Sequence, residues 1–173
     1  MAKKGIKYYI PGGIALVLGI AAFCMMFLTA VTYSADLGIA NTSYSYTGMQ
    51  LAFGYSETIG EGSVLETTTT ILTFNFMVFI AFLLPLIGGI LAVLFQNGLL
   101  TKIVTTACFV VGAVFLFSIV GFATIGMEEF QQALVEELSA SLGVGPIIGA
   151  VLAILGAVVC FFKGSIAKAL GGD

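Results

Sequence analysis

The stretch ILTFNFMVFIAFLLPLIGGILAVLF, from Ile71 to Phe95, decides the fold because it runs for 25 residues without a charged side chain. A helix rises about 1.5 Å per residue, so a segment of this length can cross about 30 Å of hydrocarbon. Any other conformation of a single segment would leave backbone groups unpaired in lipid. The stretch is therefore predicted to be a membrane-spanning helix.

Three further segments are apolar and uncharged over a similar length. Together the four predicted spans are residues 9–33, 71–95, 103–126 and 144–162. The whole chain has 173 residues, of which 60% are apolar and 9% charged, and its mean hydropathy is +1.15. A soluble domain is about a quarter charged. We therefore predict an all-α integral membrane protein in which residues 1–173 form one four-helix transmembrane bundle.

The charged residues predict the orientation of the spans. All six lysines fall on one side of the four-span layout, and eight of the nine acidic residues fall on the other. Because positively charged loops stay in the cytoplasm, both termini are predicted to be cytoplasmic and the protein to lie in the plasma membrane. The lysines are Lys3, Lys4, Lys7, Lys102, Lys163 and Lys168.

The first extracellular loop, residues 34–70, is predicted to contain a small β-hairpin or sheet. Polar and aromatic residues alternate from Thr42 to Thr47, and apolar residues alternate after Gly48. A period of two is typical of strands. The strand face after Gly48 must cover the rest of the protein or a partner, so it is a candidate partner face. It consists of Met49, Leu51, Phe53 and Tyr55.

The second extracellular loop, residues 127–143, has apolar residues at helical spacing, from Met127 to Leu142. This spacing predicts an amphipathic helix. Asn75, near the outer end of the second span, is expected to form a hydrogen bond to Thr29 or Thr32 and so tie the first two helices together.

Two features of the spans concern helix packing. Small residues recur every four positions in the last span, at Gly145, Gly149, Ala153 and Ala157. Such a stripe allows close packing, either inside the bundle or between two copies of the chain. Pro85 is predicted to kink the second span, since it lacks an N–H group.

The composition excludes several kinds of chemistry. The chain has no histidine and no arginine, so the commonest general base and the bidentate anion clamp are both missing. Cys24, Cys108 and Cys160 lie inside apolar runs without metal-ligand spacing. We predict no catalytic, metal-binding or cofactor-binding residues. A net charge of −3 also argues against nucleic acid as a partner.

The layout resembles the claudin-like tetraspan architecture, which has four spans, cytoplasmic termini and a longer first outer loop with strand character. The claudin signature of tryptophans and two loop cysteines is missing, so the resemblance implies a topology and no paracellular function. The segments YTGMQLAFG, from Tyr46 to Gly54, and FLLPLIG, from Phe82 to Gly88, look like small uncharacterised four-span proteins of Gram-positive bacteria. That family implies no particular activity.

These features favour a non-enzymatic membrane protein that acts as a scaffold or accessory subunit through helix packing and its outer loops. Its expected partners are the lipid bilayer and either itself or another membrane protein. An oligomeric channel or pore is the alternative, because rings of acidic residues favour cations. An enzyme or lipid-handling protein is a third hypothesis. Its candidate groups are Glu57, Glu61 and Glu66 together with Tyr44, Tyr46 and Tyr55.

Overall fold

A computed structural model describes residues 9–36, 41–59, 67–95, 98–127, 132 and 138–169. These residues form a mostly helical protein with two small antiparallel sheets. Within this part of the chain, four helical segments are long and apolar enough to cross a membrane, judged by length and composition. They are Ile10–Phe27, Phe76–Leu94, Leu99–Phe117 and Val144–Phe161.

The elements are numbered here in chain order. The helices are α1 (Ile10–Cys24), α2 (Gly48–Phe53), α3 (Phe76–Leu94), α4 (Leu99–Phe117), α5 (Ile119–Ala123), α6 (Val144–Phe161) and α7 (Lys163–Ala169). Turns of 3-10 helix follow α1 at Met25–Phe27 and α5 at Thr124–Gly126. The strands are β1 (Thr29–Asp36), β2 (Asn41–Thr47), β3 (Tyr55–Ile59), β4 (Thr67–Leu72) and β5 (Ser139–Leu142).

The chain divides into two compact units. The first, called the helical unit, comprises Met1–Met25, Ile80–Leu116 and Ile148–Asp173. The second, called the sheet unit, comprises Met26–Phe79 and Phe117–Ile147.

Glycines bring the backbones of α1 and α3 together in the helical unit. Gly12 and Gly19 lie two turns apart on α1 and are both buried. A Cβ on Gly12 would lie 2.8 Å from the carbonyl oxygen of Ala92, and one on Gly19 would lie 2.5 Å from that of Pro85. Only hydrogen atoms fit at these points, so the two helices pack as small-residue faces do in membranes.

The small residues of α6 are also buried within the chain. Gly145 is buried in the sheet unit, and Gly149, Ala153 and Ala157 are buried in the helical unit. A Cβ on Gly149 would lie 3.4 Å from the side chain of Leu116. The stripe is therefore buried within the chain, with Gly149 against α4.

Helix α3 continues through Pro85 from Phe76 to Leu94. The proline ring packs against α4 at Gly112, where a Cβ would lie 2.7 Å from the ring. The structure thus gives Pro85 a packing role between two helices, and the kink remains a prediction.

The predicted small antiparallel sheet is present, and it takes in more of the chain than the first loop. Strand β1 is central in the order β2-β1-β5, with Tyr33 opposite Tyr44 on one side and Ala140 on the other. Its residues Ala30, Val31 and Tyr33 are buried. Strands β3 and β4 form a separate two-stranded sheet, with Ile59 opposite Thr67.

Residues 29–33 were predicted to continue the first span, and that extension is wrong. Helix α1 ends at Cys24, and Thr29 begins β1 after a turn of 3-10 helix. In a continuous apolar run, hydrophobic periodicity cannot distinguish a buried strand from a buried helix. Thr29, Val31 and Tyr33 are β-branched or aromatic, which favours a strand once partner strands are present on both sides.

The helix predicted from Met127 to Leu142 is wrong at its end. Ser139–Leu142 form strand β5, whose Ser141 hydroxyl donates to the carbonyl oxygen of Thr32 over 3.1 Å. The short alternation of serine with apolar residues suits an edge strand. Residues 128–131 and 133–137 of the predicted helix lie outside the described residues.

Gly143 is predicted to be essential for the three-stranded sheet. Its N–H donates to the carbonyl oxygen of Ala30 over 2.8 Å, and a Cβ would overlap the carbonyl group of Thr29. We expect Gly143→Ala to lower the free energy of unfolding by about 1–3 kcal/mol, because rigid backbone must move.

Gly121→Ala is the matched control for thermal unfolding in detergent. Nothing lies within 4 Å of a Cβ there, and the residue is in α5. Alanine is expected to stabilise that helix by up to about 1 kcal/mol. Equal melting temperatures for the two variants would contradict the prediction.

Candidate functional site

The residues after Thr47 form helix α2 and not the predicted strand. Thr47 and Gln50 make a capping box at its start. The N–H of Gln50 donates to Thr47 Oγ1 over 3.2 Å, and the N–H of Thr47 donates to Gln50 Oε1 over 2.9 Å. A threonine three residues before a glutamine is the sequence signal for this cap. The period-two pattern of apolar residues in the same stretch favoured a strand over this helix cap.

The prediction that these four residues share one strand face is therefore wrong. Met49, Leu51 and Phe53 lie on a helix, whereas Tyr55 lies in β3. Leu51 is 1% exposed and Phe53 is 51% exposed, so the helix points them to different surroundings. Of the four residues, Phe53 is the one that belongs to an exposed aromatic group.

Gly54 turns the chain sharply after Phe53. Its φ of 94° is a left-handed conformation that glycine adopts without a steric cost. Its N–H donates to the carbonyl oxygen of Gln50 over 2.9 Å and so closes the end of α2. The six-residue helix is thus capped at both ends, which fixes the position of Phe53.

Three phenylalanines meet at the end of α2 and are called the phenylalanine cluster: Phe53, Phe74 and Phe79. The ring centroid of Phe53 lies 5.4 Å from that of Phe79 and 6.3 Å from that of Phe74. These spacings are favourable for aromatic pairs. Phe74 is 57% exposed and Phe79 is half-buried. Because Phe53 lies outside the four candidate spans, this exposed aromatic group is a candidate binding surface.

The backbone of Asn75 holds this cluster in place. Its N–H donates to the carbonyl oxygen of Ala52 over 2.9 Å, which ties the end of α2 to the start of α3. Its carbonyl oxygen accepts from the N–H of Phe79 over 3.1 Å. Phe53 follows Ala52, Phe74 precedes Asn75, and Phe79 itself donates the second bond. These two backbone bonds therefore position all three rings.

The side chain of Asn75 is 2% exposed and caps α3. Its Oδ1 accepts from the N–H groups of Met77 and Val78 over 3.1 and 3.3 Å, as an N-cap does. Its Nδ2 donates to the carbonyl oxygen of Phe122 over 2.7 Å. The amide therefore satisfies backbone groups of two helices, α3 and α5.

The expected bond from Asn75 to Thr29 or Thr32 is wrong. Both threonines belong to strand β1, and the hydroxyl of Thr32 shares a hydrogen bond of 3.0 Å with that of Ser45 in β2. The expected bond requires a helix that continues to Tyr33, whereas α1 ends at Cys24.

A small cavity of about 200 Å³ lies beside β2 and β3. It is lined by Tyr44, Ser45, Tyr46, Gln50, Tyr55 and Glu57. The structure thus brings together Glu57 and the three tyrosines considered for acid–base chemistry, while Glu61 and Glu66 lie outside the described residues. Burial raises the pKa of Tyr46, and the nearby Glu57 raises it further.

Tyr33 is a buried tyrosine of β1 whose ring meets that of Tyr46 edge-on, with centroids 6.2 Å apart. Its hydroxyl is buried and has no hydrogen-bond partner among the described residues. Burial, with a smaller contribution from Tyr46, raises the pKa of Tyr33 to about 12. The neutral phenol is therefore strongly favoured in the folded protein.

The opposite end of α3 is capped by Lys163, a role that the sequence pattern does not indicate. Lys163 is 5% exposed, and its Nζ donates to the carbonyl oxygens of Ala92 and, over 3.2 Å, Phe95. Carbonyls at the end of a helix lack helical partners. Burial lowers the pKa of Lys163; the neighbouring Cys160 raises it and Lys102 lowers it, each by less than burial does.

The three cysteines are free thiols: Cys24 is exposed, Cys108 half-buried and Cys160 buried. Among the residues that the structure describes, no three histidine, cysteine, aspartate or glutamate side chains group together to hold a metal. No model of a known protein family matches the chain, and no curated protein matches it significantly.

Asn75 is predicted to contribute through two separable interactions. Serine is also a good N-cap, but its side chain is too short to reach Phe122. We therefore expect Asn75→Ser to lower the free energy of unfolding by about 1–3 kcal/mol. Asn75→Ala loses the cap as well, at a further cost of about 1 kcal/mol. Thermal unfolding in detergent measures both, and an alanine variant as stable as the serine variant would contradict the assignment of the cap.

Tyr33→Phe is predicted to stabilise the protein by about 1–3 kcal/mol at neutral pH, because it removes an unpaired buried hydroxyl. Because the phenol ionises less readily in the folded state, ionisation of Tyr33 does not affect folding below pH 10.0, and it lowers the free energy of unfolding as the pH rises from 10.0 through about 12. The variant should lack that loss. Tyr44→Phe, at an exposed position, is the control, and a destabilised Tyr33→Phe would refute the prediction.

Proposed function

We propose that the protein is a non-enzymatic membrane scaffold or accessory subunit that binds another membrane protein, or a second copy of itself, through the phenylalanine cluster. The observation that carries this proposal is the arrangement of Phe53 and Phe74. Both rings are more than half exposed, yet the backbone beneath them is held by the buried Asn75.

This arrangement suits binding because the rings are held in place before a partner arrives. Ordering side chains on association costs free energy, and rings fixed by a capped helix have less freedom to lose. Aromatic side chains are also enriched at the centres of protein interfaces. The surface therefore combines an apolar anchor with a rigid support.

Phe53 favours a protein partner over lipid as the main contact of the cluster. It belongs to α2, which lies outside the four candidate spans, whereas Phe79 lies inside one of them. The cluster thus extends from a candidate span onto a helix outside it. A partner that crosses the membrane and also has an extramembrane part would match both portions.

The proposal also includes a location. The lysines support cytoplasmic termini in the plasma membrane, with residues 34–70 and 127–143 outside. This is the layout of claudin-like tetraspan proteins and of the small bacterial four-span proteins that the sequence resembles. The phenylalanine cluster would then face the outer side.

The double variant Phe53→Ser/Phe74→Ser tests the proposal. The full-length protein is extracted gently from its native membrane, its complex is weighed by native mass spectrometry, and co-purifying chains are identified. We expect the wild type to be recovered as a complex. The variant should weaken that complex at least about 100-fold, because two anchoring aromatic residues are lost.

Tyr44→Ser is the matched control, since Tyr44 is an exposed aromatic residue of the sheet unit outside the cluster. It should leave the complex intact. A multimer of this chain alone would identify a self-assembling scaffold, and a different protein would identify an accessory subunit. A monomeric wild type, or a complex that survives the double variant, would overturn the proposal.

A further inference from the structure

An apolar groove runs along one face of α4 in the helical unit. It has a volume of about 470 Å³, within the range of about 300–1,000 Å³ that is usual for small-molecule sites. Phe161 of α6 forms its opposite wall. The lining residues from α4 are Leu99, Lys102, Ile103, Thr106, Ala107 and Val110.

The length of the groove matches one leaflet of a bilayer. Its lining residues on α4 extend from Leu99 to Val110, which at 1.5 Å per residue corresponds to about 16 Å. The hydrocarbon core of a bilayer is about 30 Å thick, so each leaflet contributes about half of that. A single acyl chain lying against α4 would therefore fill the groove from end to end.

The charge of the groove is confined to one end. Lys102 lies in the first turn of α4, and its Nζ lies close to Gly164, where a Cβ would be 3.0 Å away. Towards Val110 the lining is apolar except for Thr106. This distribution matches a phospholipid, which has a charged headgroup at one end and a hydrocarbon chain beyond it.

Among the described residues of the helical unit, the positive charge of Lys102 has no acidic counterpart. The described residues of the helical unit include no aspartate or glutamate. Lys163 has its Nζ occupied by the carbonyl oxygens at the end of α3 and is itself repelled by Lys102. An anionic group at Lys102 would relieve this repulsion and neutralise the site.

We propose that the groove binds one anionic phospholipid, with an acyl chain along Ile103, Ala107 and Val110 and the phosphate at Lys102. The net negative charge of the headgroup provides the preference over zwitterionic lipids. Small side chains of α4, above all Ala107, leave the room for the chain. The groove residues belong to the helical unit and the phenylalanine cluster to the sheet unit, so this proposal rests on different residues from the proposed function.

The test uses the full-length protein in nanodiscs of phosphatidylcholine that contain a minority of phosphatidylglycerol. Native mass spectrometry measures which lipid stays bound when the protein is released. We expect the wild type to retain phosphatidylglycerol in preference to phosphatidylcholine. Lys102→Gln should weaken that preference about fivefold, as expected for one lysine at an anionic surface. Ala107→Phe should abolish retention by filling the groove.

Two control variants test whether a loss of lipid retention comes from the groove itself or from a general change in charge or side-chain size. Lys168→Gln removes an exposed lysine of α7, and Val111→Phe adds a ring to an exposed position of α4 outside the groove. Both should retain phosphatidylglycerol like the wild type. Equal retention of the two lipids, full retention by Lys102→Gln, or a loss with Val111→Phe as large as with Ala107→Phe would overturn the proposal. Occupation of the groove by another polypeptide would also overturn it.

Discussion

The two ends of α3 carry the constraint on which much of the structure depends. A helix leaves its first N–H groups and its last carbonyl groups without helical partners, and in apolar surroundings each such group is costly. Two buried polar side chains solve this problem. Asn75 accepts from the N–H groups of Met77 and Val78, and Lys163 donates to the carbonyl oxygens of Ala92 and Phe95.

Each of these caps also joins distant parts of the chain within its own unit. In the sheet unit, the bond from Asn75 to Ala52 fixes α2 and thereby the exposed ring of Phe53. In the helical unit, Lys163 attaches α7 to the end of α3, and its ammonium group is engaged by the carbonyl oxygens there. Lys102 is left as the cation at the mouth of the α4 groove. In each unit, one buried polar side chain thus satisfies backbone groups at one end of α3.

Much of the helical framework was predictable from residues alone. An uncharged run such as 71–95 has few alternatives in lipid, and α3 occupies most of it. The errors arose where local patterns compete. Thr29–Tyr33 continued an apolar run, and Met49 to Tyr55 showed a period of two, yet the first became a strand and most of the second a helix. The signal that would have corrected the second was the spacing of Thr47 and Gln50, which form a capping box.

The sequence by itself determined which segments can cross a membrane, because length and the absence of charge are local properties. It also determined the distribution of lysines from which an orientation is proposed. Only the tertiary structure decided that Asn75 bonds to Phe122 and Ala52, that Lys163 turns inward, and that Phe53 meets Phe74. These contacts join residues far apart in the chain. Their partners depend on how helices and strands pack, which no local pattern of residues encodes.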